Sequence, residues 1–200
     1  MPSPVLTMSS GLAPGPSAHQ ILKTATAEAH ASVDRLVSID SAWTIDRYRG
    51  LLRALHAVLA PMTPALRACL GPDRFPLVIT AASRLEADLD AVGSRVSPPS
   101  TRVPPIDDEA AAWGAAYVWL GSHLGGPFIA RAVRDPLCLR PEHLTYLTPD
   151  TPVAPEWRRF LADLEVWHAG ADASARHCCT GTALAIFAAV ESALMSEGLQ

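Results

Sequence analysis

Apolar side chains recur at helical spacing along most of the chain, and this pattern predicts an all-α protein. No run alternates convincingly with a period of two, and no internal repeat is visible. We therefore expect a flexible N-terminal tail over 1–17 and one helical domain over 18–200. The predicted helices are 18–38 after a Ser17 cap, a helix from Thr44 that stops before Pro61, 64–70, 80–92, 107–133, 155–168 and 174–195.

Composition and charge exclude several classes of protein. Hydrophobic residues make up 49% of the chain, which is enough for a substantial core, and the net charge of -4 lacks the basic excess of nucleic-acid-binding proteins. The N-terminus has neither the charged start nor the apolar run of an export signal, so we expect a cytoplasmic protein. The cysteines form no CxxC pair and are interpreted as reduced thiols; they are Cys69, Cys138, Cys178 and Cys179.

The segment 110–130 is long and apolar enough to cross a bilayer. Its Gly121-x-x-x-Gly125 spacing also matches a motif of membrane helix dimers. Against a membrane span stand His123 and Pro127 within the segment, and the acidic residues before it. A buried core helix is the better interpretation, and no membrane partner is expected.

His30 lies at the border of the apolar face of the first predicted helix. At about 100° per residue, Lys23 lies about 20° from His30 and about 10 Å nearer the N-terminus. A cation is therefore within reach of whatever His30 contacts. Taken alone, such a histidine is more often a packed or half-exposed residue than a metal ligand.

Three glycines, Gly114, Gly121 and Gly125, share one narrow face of the long helix over 107–133. Each glycine inside a helix costs about 0.5–1 kcal/mol relative to alanine, so this line needs a compensating reason. Close approach of another helix is the simpler explanation. Close approach of a flat ligand is the alternative.

Two motifs in combination resemble the biliverdin-producing heme oxygenases. They are LKxxTxxxH over 22–30 and GAAYVWLGSHLGG over 114–126. Supporting stretches are RLEADLDAVG over 84–93, the helix that carries Trp157, and a final helix with Phe187 and Glu191. The resemblance covers about residues 20–195 and is strongest to the bacterial class associated with bacteriophytochromes.

The resemblance implies an all-α bundle that holds heme between the first helix and the glycine-bearing helix. His30 would be the proximal iron ligand, and heme would be cofactor and substrate at once. The products implied are biliverdin, CO and ferrous iron. The partners implied are an electron donor, such as ferredoxin or a flavin reductase, and a bacteriophytochrome that receives biliverdin.

The same resemblance assigns further residues to the site. Gly121, Ser122 and Gly125 would form the catalytic distal side, where the glycines let the backbone approach bound O2. Lys23 would contact a propionate, and Arg159 or its neighbour Arg158 a second one. The other heme contacts implied are Thr26, Tyr117 and Gly126.

Several positions depart from the family pattern. Ser122 stands where the animal-type members have Asp, although Ser fits the phytochrome-associated class. Leu120 replaces an expected Glu, and Pro127 replaces a polar or basic residue. These changes motivate two alternatives: a non-catalytic heme-binding or sensing protein of the same fold, and a protein that has kept the fold without binding heme. His123 points about 200° from Gly121 and is not expected to bind iron.

Overall fold

The computed structural model describes residues 15–96 and 102–200, and this part of the chain forms seven α-helices and no strand. The all-α prediction is confirmed. The first fourteen residues of the predicted tail lie outside the described residues. The helices are α1 Ala18–Leu36, α2 Ile45–Leu70, α3 Pro76–Ile79, α4 Ala81–Ala91, α5 Glu109–Arg134, α6 Val153–Gly170 and α7 Ala173–Ser196, with a one-turn 3₁₀ helix at Pro141–His143.

Side-chain caps begin the helices where the sequence predicts them. The Ser17 hydroxyl accepts the Gln20 N–H at 3.2 Å, and the Gln20 side chain accepts the Ser17 N–H at 2.9 Å. This reciprocal pair satisfies two backbone donors at the start of α1. The Thr44 side chain caps α2 by accepting the Arg47 N–H, and the Asp108 side chain caps α5 by accepting the Ala111 N–H. Each cap stabilises its helix by about 1 kcal/mol.

The predicted break before Pro61 is wrong, because α2 continues through Pro61 and Pro64 as one helix. Both prolines are exposed, while Leu59, Met62 and Leu66 around them are buried. A proline inside a helix costs about 3 kcal/mol. Burial of each large apolar side chain contributes about 1.5–3 kcal/mol to the free energy of unfolding, so packing on both sides of the prolines maintains the helix.

The sequence predicts the end of α4 well but gives no sign of the short helix α3. Helix α4 ends at Ala91, one residue before the predicted end at 92, and Gly93 follows it with a φ of 66° that favours glycine. The short helix α3 was not predicted, because four residues are too few to show a period. Its Leu77, Val78 and Ile79 are all buried.

Helix α5 forms the centre of the core, and α7 packs along it as well as along α1 and α2. Gly114 explains the close approach of α5 and α7, because a Cβ at this position would collide with the Cys179 carbonyl. The first of the three aligned glycines therefore serves helix packing. Trp113 and Trp119 are fully buried on the same helix. The predicted core role of 110–130 is confirmed for its first half.

Length and composition make α7 the one helix in the described ranges that could cross a membrane. Half of its most apolar window is buried inside the fold. Core helices of globular proteins pass the same test, so this is weak support for a membrane span.

Glu165 of α6 anchors the N-terminus of α1. Its carboxylate accepts the backbone N–H of Ala18 at 2.9 Å and of His19 at 3.2 Å. Although partial burial acts to raise the pKa of Glu165, these N–H bonds hold it below its usual value. The negative charge is also favourable at a helix N-terminus. This contact fixes the start of the helix that carries His30.

Candidate functional site

The helices that carry the predicted site residues, α1 and α5, both pack against α6 and α7. The Thr26 side chain of α1 lies close to Tyr117 of α5, where burial raises the pKa of Tyr117 and the Thr26 hydroxyl acts against this rise. The Thr26 hydroxyl itself donates to the Leu22 carbonyl at 2.8 Å. The structure thus brings together two of the predicted heme contacts.

His30 lies on the surface of α1 with 58% of its side chain exposed. Its Nδ1 lies 2.8 Å from an oxygen of Asp34, one turn later, and its ring meets the edge of Phe187 on α7 with centroids 5.5 Å apart. A carboxylate can only accept here, so Nδ1 carries the proton when the ring is neutral. The lone pair is then on Nε2, as in a metal-ligating histidine oriented by a carboxylate.

A strip of α5 leaves apolar and glycine positions open to solvent. This α5 strip consists of Gly121, Leu124, Gly125 and Phe128, which lie within about 100° around the helix. Leu124 is 41% exposed and Phe128 is 63% exposed, and no atom lies within 4 Å of a Cβ built on Gly125. An apolar surface with a glycine at its centre suits a flat, apolar ligand.

The opposite side of α5 is buried, and Gly126 belongs to it. A Cβ on Gly126 would collide with the Leu147 carbonyl. The structure therefore does not place Gly126 with the α5 strip, contrary to its predicted heme contact. The sequence motif could not separate these roles, because adjacent glycines point in directions about 100° apart.

His123 also faces the buried side, which confirms that it points away from Gly121. It is 1% exposed, its Nδ1 donates to the Trp119 carbonyl at 2.8 Å, and its ring lies 4.9 Å from that of Tyr146. Its Nε2 is buried without a partner in the described residues. Burial lowers the pKa of His123 to about 4, so the ring is neutral near pH 7.

This burial predicts a loss of stability in acid. In the unfolded chain His123 takes up a proton below its ordinary pKa of 6.5, whereas the folded protein resists protonation down to about 4. Stability should therefore fall as the pH drops between these values, by up to about 3 kcal/mol from this residue. Urea unfolding near pH 7 and near pH 4.5 would measure it. His123→Phe keeps the ring stacking and should lose this part of the pH dependence. An equal change in the free energy of unfolding between the two pH values in both proteins would refute the assignment.

Ser122 lies between the α5 strip and the buried side. Its hydroxyl donates to the Trp119 carbonyl at 2.7 Å and lies 3.2 Å from the Tyr146 hydroxyl. Burial raises the pKa of Tyr146 to about 12, so its hydroxyl stays protonated. Because the Ser122 hydrogen is used on the Trp119 carbonyl, the Tyr146 hydroxyl donates the hydrogen bond to the Ser122 oxygen. The orientation of the Ser122 hydroxyl is thus fixed from both sides.

The structure does not support the predicted propionate contact by Arg159. Its guanidinium donates to the Arg74 carbonyl and lies over the ring of Phe75 at 5.7 Å. These contacts lie on the side of α6 about 200° away from Trp157, which faces α5. Lys23, by contrast, is exposed on the His30 side of α1 and forms no ion pair with any described residue.

Trp157 lies beside the α5 strip and was not among the predicted site residues. Its ring lies 3.7 Å from a Cβ built on Gly121. The rings of Tyr117 and His19 lie 5.8 and 5.7 Å from it, and it stacks on Phe160 at 5.5 Å. Together these side chains close one end of the α5 strip. The sequence signal for Trp157 was its place in one of the stretches that support the resemblance, but an aromatic residue on a helix fits a core position equally well.

The donor set around His30 suits heme better than a free metal ion. Within the described ranges no three His, Cys, Asp or Glu side chains are grouped closely enough to hold a metal. A single imidazole holds iron firmly only when other ligands, such as porphyrin nitrogens, complete the coordination. The residues present, an oriented imidazole on α1 and an open apolar strip on α5, therefore fit heme.

Two surface cavities lie away from this region. One of about 420 Å³ is lined by polar residues of α4 and the loop after α5, and another of about 360 Å³ lies between the start of α5 and α7. Neither includes His30 or the α5 strip.

Comparison with known proteins supports the resemblance. No protein-family model matches the chain. A curated heme oxygenase of Xanthomonas campestris pv. campestris (strain 8004) is 37% identical over 115 residues, which span 56% of this chain and 66%, just under two thirds, of that relative. The NO- and CO-bound heme oxygenase of Neisseria meningitidis has a TM-score of 0.73 at 20% identity and covers 93% of this chain and 94% of its own.

A heme oxygenase of Leptospira interrogans gives a similar structural match. Its TM-score is 0.71 at 14% identity, over 90% of this chain and all of that one. The chain therefore has the all-helical, single-domain fold of the heme oxygenases. The similarity in sequence to the curated relative, added to the shared fold, supports its membership of the heme oxygenase family.

Proposed function

We propose that this protein is a heme oxygenase, which uses O2 and reducing electrons to cleave heme to biliverdin, CO and ferrous iron. The observation that carries the proposal is His30, an exposed imidazole whose Nδ1 is held by Asp34. The curated relative and the solved structures, all named as heme oxygenases, support the same activity.

In this proposal α1 provides the iron ligand and α5 provides the surface where O2 would bind. Bound heme supplies iron that activates O2 and a ring that is itself oxidised. His30 would bind iron through Nε2, while Asp34 holds the Nδ1 proton and fixes the ring orientation. On α5, Gly125 offers no side chain, and the open space around it would leave room for O2. Ser122, whose hydroxyl is oriented by Tyr146, would supply a polar group at the edge of this space.

The departures from the family pattern lie outside the α5 strip. Leu120 is fully buried in the core. Pro127 is exposed, about 120° round the helix from Gly121. Leu120 therefore does not face the α5 strip, whereas Pro127 lies about 60° from Leu124 at the edge of the strip. The burial of Leu120 weakens the motive for the non-catalytic heme-binding or sensing alternative, and catalysis is the better-supported function.

The narrower assignments belong to the same proposal. Ser122 supports the bacteriophytochrome-associated class, in which biliverdin passes to a phytochrome. An external donor, ferredoxin or a flavin reductase, would supply the electrons. A cytoplasmic location fits these partners and stays a prediction.

Spectroscopy of the purified protein with hemin tests the proposal. We expect a protein-bound Soret band, and then, with O2 and ferredoxin or ascorbate, its decay with release of CO and appearance of biliverdin. A stable Soret band under reducing conditions would favour the sensing alternative. Hemin that keeps the spectrum of the free molecule would contradict heme binding altogether.

Lys23 should contribute to heme affinity and not to the chemistry. Its ammonium lies on the His30 side of α1 but about two turns away, close enough to reach a propionate at the ring edge. Lys23→Ala should weaken heme binding by about 0.2–1 kcal/mol, with the Soret position unchanged. Hemin titration measures this, and Arg159→Ala, whose guanidinium lies elsewhere, is the matched control. Equal losses in both variants would show that the effect is not local.

A further inference from the structure

A buried carboxylate on α4 holds the loop that follows the 3₁₀ turn. Asp88 is fully buried and accepts the Thr145 N–H at 2.8 Å, the Thr145 hydroxyl at 2.6 Å and the Tyr146 N–H at 2.9 Å. Hydrogen bonds to an ionised acceptor are stronger than neutral ones. Asp88 therefore fixes the loop over 144–148, named here the 144–148 loop.

The 144–148 loop in turn contacts α5 directly behind the α5 strip. The Tyr146 hydroxyl lies 3.2 Å from that of Ser122, and its ring packs on His123. The backbone of Leu147 sits against Gly126, where no Cβ could be accommodated. Three contacts, to Ser122, His123 and Gly126, thus join the loop to about one turn of the GSHLGG segment.

This segment of α5 needs outside support. Gly121, Gly125 and Gly126 each lower its helix propensity by about 1 kcal/mol relative to alanine. Pro127 donates no N–H, so the helix loses one internal hydrogen bond here. A weak helical segment beside a site that needs a fixed geometry is held best by neighbours that contact it from behind.

We infer that Asp88 and Tyr146 are positioning residues that set the placement of the glycine segment of α5, and with it the distal side of the proposed heme site. Asp88 fixes the 144–148 loop through its hydrogen bonds, and Tyr146 of this loop contacts Ser122 and His123 of α5. The inference rests on the proposed function for its catalytic meaning. The support of α5 itself is independent of heme.

Hydrogen exchange in the protein without heme tests the support of α5. Tyr146→Phe removes one hydroxyl and keeps the ring, and Asp88→Asn keeps the shape and removes the charge. Amide exchange over 121–126 should become about 2- to 10-fold faster in each variant. Thr63→Val is the matched control: the Thr63 hydroxyl donates to the Leu59 carbonyl at 3.1 Å, a bond that lies within α2 and does not involve the 144–148 loop. Exchange over 121–126 should stay within about twofold of wild type in this control.

The heme-bound proteins test whether the support reaches the distal side. In Tyr146→Phe we expect unchanged hemin affinity, a shifted pH midpoint of the ferric high-spin to low-spin transition, and slower biliverdin formation. Unchanged exchange in both variants, or equal acceleration in the Thr63→Val control, would overturn the inference. Faster exchange with an unchanged midpoint would also overturn it. Absence of heme degradation by the wild-type protein would refute the proposed function alone, because the exchange experiment uses no heme.

Discussion

Replacement of His30 with alanine should abolish both the native ferric Soret spectrum and heme turnover. The His30 imidazole is the proposed iron ligand, and its lone pair is on Nε2 because Asp34 holds the Nδ1 proton. Without it, the ring would be retained only by apolar contacts and a propionate contact, which do not fix the iron. Absorption spectra during hemin titration, followed by a turnover assay, would measure the loss.

The exposure of His30 makes this experiment specific. Because more than half of the side chain is exposed, its removal should change the stability of the folded protein little. Added imidazole should partly restore the spectrum by occupying the space of the lost ring. His177→Ala, at an exposed position on α7, should behave as wild type. Asp34→Asn should keep the axial ligand and weaken heme binding by about tenfold or more.

A His30→Ala protein with the wild-type Soret spectrum would end the assignment of the proximal ligand. The proposed orientation of α1 would then be wrong, since Lys23 and His30 lie on the same side of this helix. A spectrum lost in both His30→Ala and His177→Ala would instead indicate a general defect in folding.

The fold was predictable from sequence as far as local signals decide it. Helical periodicity and capping residues such as Ser17 located most helices correctly. The failure at Pro61 shows the limit of this approach. The cost of a proline is local and visible in the sequence, whereas the burial of Leu59, Met62 and Leu66 depends on distant helices. Tertiary packing outweighed the local rule.

The sequence predicts the residue types of the candidate site better than it predicts which neighbour each residue faces. Gly114, Gly121 and Gly125 share one face of α5, yet their surroundings differ. Gly114 lies against the backbone of α7, Gly121 lies beside the ring of Trp157, and Gly125 has open space around it. The identity of the neighbour is a tertiary property, which a helical angle does not contain. The same limit explains Arg159, whose charge suited a propionate but whose side chain contacts the Arg74 carbonyl.

Gly125→Leu should separate folding from function more sharply than a change at any other glycine of α5. No atom lies within 4 Å of a Cβ at this position, so a side chain can begin here without a clash with the protein. Leucine is also a better helix former than glycine by up to about 1 kcal/mol, and stability should be unchanged or slightly higher. The side chain would, however, occupy the space proposed for O2 and the ring.

Overpacking of this kind costs about 1–3 kcal/mol, which corresponds to roughly a 5- to 150-fold loss in the binding of heme or of its O2. Thermal unfolding, hemin titration and biliverdin formation would be measured together. Gly181→Leu is the matched control, because Gly181 is also a helical glycine with open space around it, on α7. Gly121→Leu is less informative, since it would displace Trp157. A stable Gly125→Leu protein that forms biliverdin at the wild-type rate would show that the heme does not lie on the α5 strip.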